Sequence, residues 1–164
     1  VKKHEARRAA SASFLLAQIG AHAASRFAER LQPLGLSPPH AGILRVLRGS
    51  AGLSQQELAV TLKLHPSRLV AIVDELETRG LVSRRENPND RRTYALFLTE
   101  TGEATLAEIG RIATEHEEAL CASLNKTERE QLAQLLQRIA EEQGLTAGVH
   151  PGFSRMGKKS PPAE

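Results

Sequence analysis

Residues 53–102 read LSQQELAVTLKLHPSRLVAIVDELETRGLVSRRENPNDRRTYALFLTETG, and this stretch decides the fold. It opens with Leu53-Ser54-Gln55-Gln56-Glu57-Leu58. The Ser54 hydroxyl can accept the Glu57 N–H while the Glu57 carboxylate reaches back to the Ser54 N–H, and Leu53 can pack on Leu58 across the junction. Leu58, Ala59 and Leu62 give the helix one apolar face, and it ends near Lys63-Leu64. A helix of barely two turns needs a partner. Pro66 starts that partner at the first helical position, where a missing N–H costs nothing, with His65 before it as N-cap. Leu69, Ile72, Val73 and Leu76 recur at helical spacing and predict one buried stripe, leaving Ser67, Arg68 and Ala71 outward at the N-terminal end.

Gly80 can stop the second helix. Beyond it, 81–85 and 93–98 read as two strands joined by Glu86-Asn87-Pro88-Asn89-Asp90-Arg91-Arg92, whose Asn, Pro and Asp supply turn chemistry. Tyr94, Leu96 and Leu98 can share one face. Four arginines lie within the nine residues 84–92. Two helices followed by a cationic two-stranded wing suit a DNA duplex. An arginine at the start of the second helix can donate to guanine O6 and N7, and a basic wing tip can reach phosphates or the adjacent minor groove. Taken singly, the helix also fits an ordinary amphipathic helix with a solvated face, and the arginines a charge run that protects strand edges.

Three motifs, in this order and spacing, carry a resemblance: Leu76-Glu77-Thr78-Arg79-Gly80-Leu81-Val82, Asp90-Arg91-Arg92, and Leu98-Thr99-Glu100-Thr101-Gly102. They resemble the multiple-antibiotic-resistance regulator (MarR) family of winged-helix transcription factors, over about residues 11–143. The resemblance implies that Arg92 enters the minor groove with Asp90 bracing it by an ion pair. It also implies that Ser67 and Arg68 face the major groove, with His65 at the helix start. The DNA-contact set expected from residues and resemblance together is Ser54, Gln55, His65, Ser67, Arg68, Arg84, Arg85, Asp90, Arg91 and Arg92.

The flanks bear on assembly. An alanine-rich helix is expected over about residues 5–31, with Phe14, Ala17, Ala21, Ala24, Phe27, Ala28 and Leu31 on its apolar side. Ser37-Pro38 reads as the cap and first position of a helix to about Arg48. After Thr99 one helix carries Leu106, Ile109, Ala113 and Leu120. Another opens at Asn125, with Glu128 three residues on, and buries Leu132, Leu135, Leu136 and Ile139. One small winged helix cannot cover all these faces, so terminal helices of two chains are expected to interlock as a homodimer, placing two recognition helices in successive major grooves. An intramolecular bundle is the other solution. The expected architecture is mostly α with a small β wing, a winged helix-turn-helix flanked by long dimerisation helices. Its divisions are 1–36 (N-terminal dimerisation helix), 37–98 (DNA-binding), 99–143 (C-terminal dimerisation helices) and 144–164 (a glycine-, proline- and lysine-rich tail, read as a loose end that includes Arg155, Lys158 and Lys159).

Composition narrows the classes. A chain of 164 residues can hold one domain with a sizeable core, no stretch is apolar enough to span a bilayer, and the charged start at 2–8 lacks the apolar run of a secretory signal. A soluble, cytoplasmic protein with no membrane partner is expected. The net charge is only +3, so a DNA binder of this composition must concentrate its positive charge locally. No nucleophile elbow, phosphate loop or paired-carboxylate pattern stands out, and no enzymatic role or cofactor is expected. His40 and His116 lie where zinc-responsive relatives place ligands, but Ile112 stands one turn before His116 and no metal site is expected. Cys121, among Leu120, Ala122 and Leu124, reads as an inert buried cysteine.

The resemblance implies a dimeric repressor released from its operator by a small aromatic, anionic effector bound between the dimerisation helices and the DNA-binding lobe. His22, Arg26, Phe27 and His40 are the candidate lining residues, since they lie on the first helices near that junction. The alternative is a winged-helix interaction module whose basic wing meets an acidic protein partner.

Overall fold

The computed structural model describes residues 11–87 and 93–153. Its elements are α1 (Ala12–Leu31), a 3-10 turn (Gln32–Leu34), α2 (Pro38–Gly49), α3 (Gln55–Leu62), α4 (Pro66–Thr78), β1 (Val82–Glu86), β2 (Tyr94–Leu98), α5 (Glu100–Leu120) and α6 (Lys126–Glu142). The Ser54 capping box forms as the sequence requires. Glu57 N–H donates to Ser54 Oγ at 3.2 Å and Ser54 N–H donates to Glu57 Oε2 at 2.8 Å. The Ser54 N–H, and after it the Ser54 hydroxyl, which also donates to Glu57 Oε2 at 2.8 Å, hold the Glu57 carboxyl below the usual carboxylate range. Lys63 ends α3 in the left-handed region at φ 52°, which swings the chain into α4.

Leu58 and Leu62 of α3 and Leu69, Val73 and Leu76 of α4 are removed from solvent together with Ile43, Leu44 and Leu47 of α2. Each such side chain contributes roughly 1.5–3 kcal/mol of burial free energy, so this shared core holds the two short helices in register. Gly80, at φ 69°, ends α4 as the sequence predicts, and the Leu81 N–H returns to Leu76 O at 2.9 Å.

β1 and β2 pair antiparallel with Val82 opposite Leu98 and Glu86 opposite Tyr94. The chain before α3 adds a third edge, because Leu96 N–H donates to Leu53 O at 2.9 Å and Gly52 N–H to Leu96 O at 2.8 Å. The wing is thereby tied to the start of the helix pair. On β2, Leu96 is buried while Tyr94 of the same face extends past the covered part and is exposed. Thr99 links wing to body: its hydroxyl donates to Gly80 O at 2.6 Å and accepts the Gly102 N–H at 2.9 Å, capping α5. Among the described residues no helix is long and apolar enough to cross a membrane.

The flanks follow the expectation in one respect and correct it in others. The apolar faces of α1 and α6 are not covered within one chain: Phe14, Leu15, Leu16 and Ile19, and likewise Leu132, Leu135, Leu136 and Ile139, remain exposed. On α5 the buried positions are Leu106, Ile109 and Ile112, while Ala113 and Leu120 face outward. Cys121 is half-buried at the C-cap of α5 rather than enclosed. The tail is not a loose end throughout: Val149 and Phe153 pack against the core, with Phe153 only 6% exposed. Arg155, Lys158 and Lys159 lie outside the described residues.

Candidate nucleic-acid interface

The outward side of α4 follows from the stripe it buries. Ser67, Val70, Ala71 and Asp74 stand opposite Leu69, Val73 and Leu76 and are all exposed. At the helix start His65 has no capping bond to the backbone; its Nδ1 lies 2.8 Å from Ser67 Oγ, which fixes both polar tips near the N-terminus of α4. Arg68 is half-buried in the first turn, its backbone N–H bonded to His65 O at 3.0 Å. Sequence reasoning passed over Val70, 41% exposed one turn from Ser67 and suited to a thymine methyl. It also passed over Lys63, an exposed cation in the turn before α4. Helical spacing from Ser67 and the position between the two helices are the signals that could have found them.

Strand alternation separates two neighbouring arginines that the sequence reading grouped as DNA contacts. Arg84 lies opposite Leu96, on the side of the strand that faces α4, where its guanidinium is held by the carboxylates of Asp74 and Glu77. Its side chain is 18% exposed. Arg84 is therefore a brace between wing and recognition helix, not an open phosphate contact. Arg85 lies on the other face, its guanidinium carbon 4.4 Å from the centroid of the Phe97 ring, which orients an exposed cation outward. Arg79, from the motif at 76–82, donates to Leu34 O and Gly35 O at 2.6 and 2.8 Å and clasps the turn before α2.

Ser54 is spent on capping α3, and Gln55 beside it is half-buried with its Nε2 lacking a hydrogen-bond partner. Asp90, Arg91 and Arg92, assigned to the wing tip by sequence and resemblance, lie outside the described residues.

The four expected effector residues do not converge. Phe27 lines a cavity of about 620 Å³ bounded by α1, α2, α5 and the chain after α6. His22 and Arg26 instead line a smaller depression of about 170 Å³ with Arg30 and His116. His40 belongs to neither, because it is buried between α2 and α4. Arg45 and Arg48, which the sequence reading did not single out, are the cations on the larger cavity. Among the described residues no cluster of metal-ligating side chains occurs.

His40 has a structural position with a pH consequence. Ser37 N–H donates to its Nδ1 at 3.1 Å, so the neutral ring carries its proton on Nε2, 3.2 Å from Glu75 Oε2 but poorly aligned for a hydrogen bond. Burial pushes its pKa below the ordinary 6.5, with Arg79 adding to the fall and Glu75 opposing it. Below pH 6.5 the unfolded chain takes up a proton that the folded chain refuses, so stability falls as pH drops from 6.5 towards the folded value and is fully present above. His116 is shifted the same way by burial, then by Arg30, Arg26 and His22. We expect His40→Gln to flatten part of the loss between pH 7 and 5 in thermal melts, the remainder tracking His116. An unchanged slope would mean that His40 takes up its proton as readily in the folded chain as in the unfolded one.

A family model described as the MarR family matches residues 34–93. A Thauera aromatica protein named for transcriptional regulation of the hcr operon is 36% identical over 112 residues, 68% of each chain. Among solved structures, the transcriptional repressor CouR bound to a 23-mer DNA duplex is similar with a TM-score of 0.70 and 34% identity, covering 79% of this chain and 92% of that one. A MarR family protein of Mycobacterium tuberculosis in complex with DNA has a TM-score of 0.70 and 26% identity, covering 79% and 98%.

Proposed function

The chain belongs to the MarR family, and from that premise we propose that it is a transcriptional repressor that binds a pseudo-palindromic operator as a homodimer and releases it when a small aromatic anion binds. The observation that carries this reading is the outward stripe of α4, small side chains beside Arg68, held by the Arg84 brace next to a wing that displays Arg85. The N-terminal residues of such a helix meet base edges in a major groove, and the wing cations meet the flanking backbone. On the wing tip, the family resemblance assigns Arg92 to the minor groove and Asp90 to bracing it, with Arg91 beside them.

Dimerisation is supported by the uncovered apolar faces of α1 and α6, which two chains can bury against each other. The effector reading is supported by the cavity under α2, where apolar walls from Phe27, Leu106 and Ile109 meet Arg45 and Arg48. Such a ligand weakens DNA binding only if it prefers the free dimer to the bound one.

Single arginine variants test the assignment of roles. Arg68→Ala is expected to weaken operator binding by roughly 1–3 kcal/mol and to relax base preference, since a base-edge donor is lost. Arg85→Ala should weaken all sequences about equally and lower the salt slope by about one. Arg84→Ala should act through the fold, lowering stability by roughly 1–2 kcal/mol because its carboxylate partners are themselves partly exposed. Anisotropy titrations on operator and scrambled duplexes, beside urea melts, separate the three. Base preference untouched by Arg68→Ala would remove that residue from the reading surface.

A further inference from the structure

The chain after α6 is shaped to return to the body. Gly144, at φ 64°, ends the helix with its N–H on Glu141 O at 3.0 Å, and the Leu145 N–H bonds Ala140 O at 2.9 Å. Two turns follow in succession. Val149 N–H donates to Thr146 O at 3.1 Å around Gly148, and Phe153 N–H donates to His150 O at 3.0 Å while Gly152 N–H donates to His150 Nδ1 at 2.9 Å. The backbone is thus largely bonded to itself, and the His150 ring sits against Phe153 with centroids 5.7 Å apart.

The seat of this segment is Gly42 on α2. A Cβ there would come within 2.8 Å of Phe153 Cε2 and 3.0 Å of Cζ, so the ring reaches the helix backbone only because residue 42 has no side chain. At the other end of the segment the Arg45 guanidinium lies beside Gly148, where a Cβ would stand 3.3 Å from Nη2. Gly148, Val149, His150, Pro151 and Phe153 all border the cavity that Phe27, Leu106 and Ile109 line from the body. Among the described residues no carboxylate pairs with Arg45.

We propose that residues 146–153 form a strap that is one wall of the ligand site, seated by Phe153 on Gly42, and that a small aromatic anion is held between this strap and α1, α2 and α5 with its charge at Arg45. The proposal rests on the reading that this cavity takes the effector and adds which part of the chain completes it. The cavity persists with the strap docked, so the ring of Phe153 is a surface for the ligand to lie on and not its competitor. Arg48, the other cation on the cavity, has Glu103 3.9 Å away, so an aromatic wall and Arg45 select a planar acid over its neutral isostere.

The test is calorimetric titration of the full chain with 2-naphthoate and with 2-naphthamide, the same ring system without the charge. Wild type should bind the acid at least about tenfold more tightly than the amide, and Arg45→Gln should abolish that difference. Phe153→Ala should weaken both compounds by about tenfold, as loss of one aromatic contact. Gly42→Ala should do the same in wild type and add less in the Phe153→Ala background, because its methyl chiefly unseats that ring while also bordering the cavity. Faster amide exchange confined to residues 146–153, with circular dichroism unchanged, should accompany either substitution. Unchanged or tighter binding by Phe153→Ala, with Arg45→Gln still weakening the acid, overturns the strap as a wall and leaves the cavity reading standing. No binding of 2-naphthoate to wild type overturns the cavity reading and the strap with it.

Discussion

Replacing Gly102 by alanine is expected to cost about 3 kcal/mol of folding stability, although the substitution sits in a helix where alanine is ordinarily the better residue. The reason is a close approach. A Cβ at residue 102 would stand 2.0 Å from the carbonyl oxygen of Leu81, and the oxygen cannot retreat because the Thr99 N–H is bonded to it at 3.2 Å. Leu81 and Thr99 flank the two strands of the wing, so the strain must spread into the wing or into the first turn of α5. Gly110, farther along the same helix, has nothing within 4 Å of the corresponding position. Gly110→Ala should therefore stabilise by roughly 0.5–1 kcal/mol, the opposite sign on the same helix. Urea melts at one fixed protein concentration compare the two, so that any dependence of stability on association is common to both. Equal effects would mean that the Leu81 contact carries no strain.

Leu135→Glu should leave each chain folded but abolish the dimer, with a loss of operator affinity of about a hundredfold or more. Leu135 is 54% exposed in the single chain, amid Leu132, Leu136 and Ile139 on α6, so the glutamate disturbs no intramolecular core and remains a good helix former. At a two-fold interface each substitution is met twice, placing two carboxylates in an apolar seam. A monomer binds one half-site and forfeits the effective concentration that joining two half-sites provides, a factor of about 10²–10⁴. Sedimentation at micromolar concentration and anisotropy on the operator read the two consequences separately. A variant that sediments as a dimer would take α6 out of the interface.

Most of this fold was legible because its signals are local. Ser54 with Glu57 and Asn125 with Glu128 announce α3 and α6 through bonds that span three residues, and both capping boxes form. The motif from Leu98 to Gly102 proves to be a junction in which one hydroxyl caps α5 and grips Gly80, which explains why threonine and glycine stand at that spacing. Strand alternation separates Arg84 from Arg85 in the sequence, but that Arg84 is the one that meets Asp74 and Glu77 depends on how α4 packs on the wing. His40 was placed beside an effector because it lies near the right junction, but an imidazole at the third position of α2 is better placed to cap its own helix. Phe153 on Gly42 could not be read, since nothing local to a glycine-rich tail says which distant helix will receive its one phenylalanine. The exposed faces of α1 and α6 fall between these cases: their apolar spacing is plain, and nothing within the described chain covers them.

The central claim is sequence-specific binding of duplex DNA by α4 and the wing. Its most direct test is the ratio of affinities for a duplex selected by this protein from a random pool and for a scrambled duplex of equal length, measured across a salt series. The account predicts a selected site with two-fold related halves and a preference of about 10³-fold or more at about 0.15 M salt. It also predicts that both affinities fall linearly with the logarithm of salt concentration as phosphate contacts exchange with counterions. A preference that stays within about tenfold across the series would contradict it and leave the basic wing as a surface for some other acidic partner.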